Sequence, residues 1–594
     1  MAKKQKVRFL RDFENMDDEA ILSVIRTDMS ASQTFQSPYF EKFKEYYKQY
    51  RSYVAETDKT TNRSNLFIPY TYHIIETVVP KLILSVFTSR PYVKTMPLGL
   101  PSELREKRAE KMNKLLDYQF QQKIHLMPIC TDVFKTAAIY GTAVTKQSWD
   151  FREREVIKRR NRVVNGAPIE GLYDDVLVKS VTNDDPKVTL IPLLDFFFDP
   201  ACTSIEDSRY DIHRYWEDLN ELQEKKDQAP DLYKNIDKLD EKDEVGATSE
   251  DMLASIGISA GKNKRKGIEI WEYWTDGWVV KVANKDMVIY SARNPYFHMK
   301  KPFARWVDNP VPGEFYGIGE VEAIKVLQEE LNTTRNQRID NVSFVLNKMW
   351  KILRGANVDT TQLVSRPAGF IEVDELNDIE EVTFEDVTQS AYQEEAVIKA
   401  DMDRTTGVND TERGTQTSRR ETATTMSILA NAGNERFKLK TLLTEYGGFH
   451  EMVNQIVGLN QQYIDRPKEI LLLGDDGSMD NDTITPEEIW GQWAIVAVGS
   501  AIEPVINKEA RQTQLVQLYN IIQSRPDVNH TEMLKRIFEE FDIDNIDAIF
   551  TTPGVNMNPD MMQQLIKSGA IGQGGAQGGN PQNVNPMGNQ TGGQ

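Results

Sequence analysis

Two cysteines in 594 residues, Cys130 and Cys202, exclude a disulfide scaffold and fit a reducing compartment. Long apolar runs are missing too. The longest, Ile74 to Phe87, is broken by Glu76, Pro80 and Lys81 and is too short to cross a bilayer, so no membrane partner is expected. The basic start, Met1 to Arg11, lacks the apolar centre of a signal peptide, so synthesis in the cytoplasm is expected. Positive charge is in deficit. The chain carries 71 Lys and Arg against 90 Asp and Glu, a formal net charge of −19, which argues against a protein that coats nucleic acid by neutralising phosphate. The remaining composition, 40% hydrophobic and 27% charged, excludes wholesale disorder in a chain long enough for two or more cores.

Catalytic signals are equally scarce. Gly257 to Asn263 has Gly261-Lys262 but neither the spacing nor the final hydroxyl of a phosphate-binding loop. Gly317-Ile318-Gly319 lacks the third glycine and the preceding strand of a dinucleotide fingerprint. The six histidines are scattered singly, and neither cysteine has a metal or nucleophile motif around it. Asp476, Ser478, Asp480, Asp482 and Glu487 fall at calcium-loop spacing, but Asn481 replaces the loop glycine and the flanks read as strands, so an acidic hairpin turn is the better reading. No catalytic residue, metal site or cofactor is expected. A nucleic-acid enzyme such as a terminase or nuclease would need a P-loop or an acidic metal cluster on strands.

What is present alternates in blocks. Helical periodicity runs over Pro38–Val54, Phe67–Tyr92, Glu103–Ile124 and Pro128–Tyr140, the last closed by Gly141. Strands are expected at Val144–Trp149, Val176–Val181 and Val188–Phe198, with a hairpin about Asp276-Gly277 between Ile268–Trp274 and Trp278–Val282. Residues 222–266 read as an exposed, mobile insertion. A long helix then begins near Gly317, short strands fill 350–387, and two helices follow at Ala391–Thr405 and Ser418–Tyr463. Further strands are expected at Ile470–Leu473 and Trp493–Val498, and helices within Lys508–Phe550. The tail from Thr551, rich in Gly, Gln, Asn and Pro, cannot offset its ordering entropy.

Two polar stretches in this plan stand out. The loop after the Ala391–Thr405 helix carries Arg404, Arg413, Arg419 and Arg420 against Asp410 and Glu412; from the residues alone, a solvated inter-helix loop is the better reading. Residues 350–387 hold three basic residues, Lys351, Arg354 and Arg366, against nine acidic ones, which again fits a solvated face.

The order of motifs resembles phage portal proteins, especially those of short-tailed phages. Ile68-Pro69-Tyr70 with Ile74 to Pro91 is similar to the family's early helix. Gly141 to Lys146 is similar to its glycine before a wing strand, and Ile191 to Pro200 to a strand closed by Asp-Pro. Pro310 to Gly319, Leu327 to Asn332 and Asn336 to Asp340 resemble the approach to a stem helix, and Ser365 to Gly369 a clip. The resemblance implies an α+β portal architecture and no enzymatic activity. It divides the chain into an N-terminal arm (1–60), a wing (61–316), a first stem helix (317–349), a clip (350–387) and a second stem helix (388–406). A tunnel loop (407–417), a long helix with the wing return (418–504), a crown (505–550) and a tail (551–594) complete it.

The resemblance also implies a ring, dodecameric in virions, at one capsid vertex, with capsid and scaffolding proteins, terminase and tail adaptors as partners. Double-stranded DNA would pass through without sequence readout, past an acidic wall that does not grip it. Arg404, Arg413, Arg419 and Arg420 become candidate phosphate contacts of the tunnel loop, and Trp350, Lys351, Arg354 and Arg366 candidate docking residues of the clip. Another head–tail connector or a minor capsid protein is the rival.

Overall fold

In the computed structural model the described residues are 13–540, apart from 15, 56–62, 88–90, 100–101, 165–166, 241–247, 259–266, 348, 365–369, 386–387, 409–434, 474–478, 498–507, 523–524 and 526–529. The chain divides into two units, residues 1–472 with 480–502, and 473–479 with 503–594.

The larger unit opens with α1 (Asp18–Tyr50), capped by Asp17, whose carboxylate accepts from the Ala20 amide at 2.9 Å. The spacing of Phe40, Phe43, Tyr46, Tyr47 and Tyr50 predicts a helix only from Pro38. Instead α1 runs through Pro38. Ile21, Leu22, Ile25 and Met29 are buried with Tyr273, Val280 and Val282, and that burial outweighs a mid-helix proline's cost of about 3 kcal/mol. A polar line four residues apart, Asp28, Ser32 and Gln36, stitches the same face to its neighbours: Tyr273 donates to Asp28 at 2.8 Å, Ser32 to the Phe198 carbonyl at 2.8 Å, and Gln36 to Tyr316 at 2.9 Å.

The neighbour of α1 is a five-stranded antiparallel sheet in the order β4 (Phe196–Phe198), β5 (Asp211–Glu217), β6 (Ile268–Trp274), β7 (Trp278–Ala283), β8 (Met287–Arg293). Val188–Phe198, expected as one strand, is interrupted. Its first part ends at Ile191, Pro192 precedes a single 3-10 turn, and β4 starts in a different sheet, because proline cannot donate to a continuing ladder. Residues 222–266, read as an exposed insertion, are anchored at their start. Helix α5 (Leu219–Gln228) and the turn after it bury Leu222, Ile236 and Leu239 against Ile268, Ile270 and Ile289.

Helices α2 (Tyr70–Phe87), α3 (Glu103–Tyr118) and α4 (Leu126–Tyr140) build the main core with β2 (Thr142–Val164), β3 (Ala167–Ile191) and β9 (Phe303–Val307), in the sheet order β3-β2-β9. Helix α3 continues into a π turn, where Gln119 exchanges hydrogen bonds with Asn460 at 2.8 and 2.7 Å. The β2–β3 hairpin spans Thr142 to Ile191, far longer than the strands read from the sequence. Strand β1 (Val93–Pro97) pairs with β14 (Trp493–Ala497), and β12 (Lys468–Leu473) with β13 (Met479–Ile484). Asp482 on β13 accepts from Lys111 at 2.5 Å with Lys114 at 3.5 Å, two ammonium groups where a calcium site would need oxygens.

Helices α7 (Glu320–Leu346) and α8 (Thr388–Thr406) come next, following α6 (Thr248–Ser255), and α9 is described over 435–463. In the second unit α10 (Lys508–Ile522) and α11 (His530–Glu540) pack together, with Leu534, Ile537 and Phe538 buried. The tail from Thr551 lies outside the described residues.

Candidate functional site

Helix α7 rises about 40 Å at 1.5 Å per residue and lies alongside α8. A buried clasp joins them. Glu395 of α8 takes a bidentate grip from Arg335 of α7, at 2.7 Å from Nη2, with Arg338 at 3.3 Å. Burial alone would raise the Glu395 carboxyl, but the hydrogen bond and charge of Arg335, with Arg338, hold it below its ordinary value. Arg338 also lies 3.8 Å from the Tyr392 ring centre. Arg335 and Arg338 are therefore what fixes the pair.

A second set of α7 side chains was missed in the sequence. Gln328, Asn332, Asn336 and Asp340, spaced by four, accept the backbone amides of Thr71, Ile68, Leu66 and Ser64 at 3.0, 2.9, 2.8 and 2.7 Å. They give the irregular segment 64–68, and Thr71 in the first turn of α2, the amide partners that these positions lack in the backbone. The signal was legible: four amide or carboxylate side chains at helical spacing on one face.

Between α7 and α8, β10 (Met349–Ile352) pairs with β11 (Ile379–Val382). Of the docking candidates, Trp350 sits on β10 opposite Glu381 and is half-buried rather than exposed. Lys351 is exposed 3.3 Å from Glu380, Arg354 is exposed, and Arg366 lies outside the described residues. This region leaves large apolar side chains in solvent. Leu353 (62%), Phe370 (65%) and Leu376 (92%) are the clearest, more than two short strands can cover by themselves.

Of the loop arginines, Arg404 is exposed at the end of α8, 3.1 Å from Asp401, while Arg413, Arg419 and Arg420 lie outside the described residues. Gly407 ends the helix at φ 77°. Arg436, at the described start of α9, donates to the Arg404 and Thr405 carbonyls at 3.1 and 3.3 Å. One guanidinium thus satisfies the last turn of α8 and ties the two ends of the 409–434 connection together. Arg436 was not singled out in the sequence, since nothing local marks a pairing across thirty positions.

At the foot of α7 several segments converge. Gly141 caps α4 at φ 85°, and a Cβ there would stand 1.9 Å from the Gly317 carbonyl oxygen. A Cβ on Gly319 would meet main-chain atoms of 138, 139 and 141 at 2.7 to 2.8 Å. Helix α9 kinks beside them at Gly447 (φ −96°, ψ −113°), and Gly448 lies flat against Trp306. Lys440 of α9 holds both Asp308, at 2.9 Å, and Glu320, the first residue of α7. All three are largely buried. Burial, then the Glu320 charge, pushes the Asp308 carboxyl up to about 7 against the pull of Lys440. Burial would lower Lys440, but the two carboxylates hold it above its ordinary value. Two acids and one lysine share a buried site, so a single proton sets its charge.

A long helix pair thus bears a small exposed sheet, with its base locked to the body and to the helix that follows. Comparison with known families gives the class, phage portal protein. The family described as Phage SU10 portal protein matches residues 21–167 and 159–573, nearly the whole chain, and the chain belongs to that family. The two matched segments meet at 159–167, at the tip of the β2–β3 hairpin. No curated protein sequence matches the chain.

Proposed function

We propose that this chain is the portal subunit of a short-tailed-phage-type virion, made in the host cytoplasm and assembled as a ring, in the dodecameric form, at one capsid vertex. Double-stranded DNA enters through the ring during packaging and leaves through it at ejection. The observation that carries the reading is the exposed apolar surface of the α7–α8 pair in a portal family member. Val326 (73% exposed), Leu346 (68%), Tyr392 (62%) and Val397 (53%) are too many for a pair of helices meant to stand in water. Copies arranged head to tail about an axis bury such surfaces and close into a ring.

In this reading α7 and α8 are the stem, 1–60 is an N-terminal arm and 61–316 the wing, while 505–550 is the crown. The sheet-bearing stretch 350–387 is the clip that meets terminase and then tail adaptors. Its open Leu353, Phe370 and Leu376 are the natural anchors for those partners, beside Trp350, Lys351, Arg354 and Arg366. Residues 407–417, after α8, are the tunnel loop. Arg413 within it and Arg404, Arg419 and Arg420 at its ends touch passing phosphates, salt-screened and blind to sequence. Capsid and scaffolding proteins surround the ring, and the energy of packaging comes from the separate terminase. Deleting residues 355–384 is expected to leave a folded protein, by circular dichroism, that no longer binds terminase or adaptor in pull-downs. Undiminished binding by that deletion contradicts the clip assignment.

A further inference from the structure

The β2–β3 hairpin has a feature that the portal reading does not use. Only Thr142–Lys146 of β2 have β9 as a second neighbour, so from about Trp149 outward the hairpin is a two-stranded ribbon. Its base is fixed. Trp149 stacks on Tyr463 at 5.3 Å and donates to Asp184 at 2.9 Å. Beyond that base no side chain from Phe151 to Arg159 or from Asp175 to Val181 is buried. Ile157 and Leu177, opposite each other, are 68% and 65% exposed. From 150 to 164 the ribbon extends about 50 Å at 3.3 Å per residue. A lone ribbon of two strands is at best marginally stable in water, and each of its strands is an open edge.

The two edges carry opposite charge. Residues 150–164 hold six basic and three acidic side chains, whereas 167–187 hold two basic and five acidic ones. Pro168 and Pro186 bracket the β3 edge, and since neither has an N–H to donate, the stretch open to pairing is 169–185. A strand added to an edge takes its affinity from main-chain hydrogen bonds and its choice of partner from side chains. The edge best matched to basic β2 is an acidic strand, and the same ribbon on another copy supplies one.

We infer that β2 of one subunit pairs with β3 of the next copy, so that neighbouring ribbons join edge to edge into one sheet running around the assembly. This rests on the ring assembly proposed above. Each basic strand then lies between two acidic ones, its own β3 and its neighbour's, about 4.8 Å away on either side. The pairing is head to tail and so compatible with ring closure; pairing β2 with β2 would set like charges against each other. Nucleic acid fits less well, since the acidic strand lies one strand spacing from the basic one.

A charge-swap mixture tests this. One variant carries Arg152→Glu, Arg154→Glu and Lys158→Glu, making both edges acidic. The other carries Glu170→Lys, Asp174→Lys and Asp175→Lys, making both basic. Assembly of wild type, each variant and their equimolar mixture is followed by mass photometry. Each variant alone is expected to need roughly tenfold more protein to assemble, about 1.4 kcal/mol per mole of subunit, and the mixture to recover wild-type assembly as alternating copies. Pure variants that assemble like wild type overturn the edge pairing and leave the ring intact. Impaired variants that the mixture does not rescue also overturn it, because the charges then act within one ribbon. A wild type that stays monomeric overturns the ring reading and this inference together.

Discussion

Replacing Lys440 with methionine is expected to destabilise the protein by about 3–5 kcal/mol, because two buried carboxylates lose the cation that compensates them. The site joins the start of α7 to α9, so the loss loosens the foot of the helix pair rather than a surface contact. Asp308→Asn acts the other way, keeping an acceptor for Lys440 while removing the excess negative charge. The pH dependence follows from the same proton. Folded Asp308 holds its proton up to about 7, whereas an unfolded chain releases it near 3.8. Between those values the folded state binds more protons, so this group's contribution to stability falls as pH rises from about 4 to about 7. Urea unfolding midpoints at pH 5 and pH 8 check both points. Lys440→Met should lose most of the midpoint at pH 8, and Asp308→Asn should flatten the slope between the two. An unchanged midpoint for Lys440→Met would mean the triad is not buried as described.

The second large effect is expected at Gly141. Alanine there faces two costs at once: a left-handed backbone at φ 85°, and a Cβ 1.9 Å from the Gly317 carbonyl oxygen. Neither obstacle is a flexible side-chain end that could swing away, so α4 and the approach to α7 must separate. A loss of about 4 kcal/mol or more is expected, read as little soluble protein or a much lower melting temperature. Gly313 provides the control. Its φ of 84° is nearly the same, but nothing lies within 4 Å of a Cβ built there. Gly313→Ala therefore isolates backbone strain, roughly 1–2 kcal/mol. If the two variants melt together, the close packing at Gly141 contributes nothing.

Much of the fold was legible because local chemistry and tertiary burial agree. Helix α4 follows its apolar spacing to the glycine that ends it, and β6 and β7 flank the Asp276-Gly277 turn that their alternating apolar residues frame. The outer half of β2 was not legible, because its described side chains are not buried, although the strand opposite was read at Val176–Val181. Arg152 to Arg159 carry no apolar alternation for a strand reading to use. The early half of α1 was missed because only the aromatic spacing after Pro38 stood out, whereas the packing of Ile25 and Met29 carries the helix across it. At the candidate site, Arg404 and the 350–387 stretch were singled out from their place between helices. Arg436, Lys440 and Glu395 were not, since each acts on a partner far away in the chain. Gln328, Asn332, Asn336 and Asp340 stand between these cases, with a readable spacing and a partner strand that only the fold supplies.

The central claim is that copies of this chain form a ring around a channel. Electron microscopy of the purified full-length protein, with mass photometry on the same sample, tests it most directly. The account predicts closed rings with a central opening and a mass near twelve times 68.1 kDa, persisting over a range of salt. Monomers alone, at every concentration and ionic strength, would contradict it.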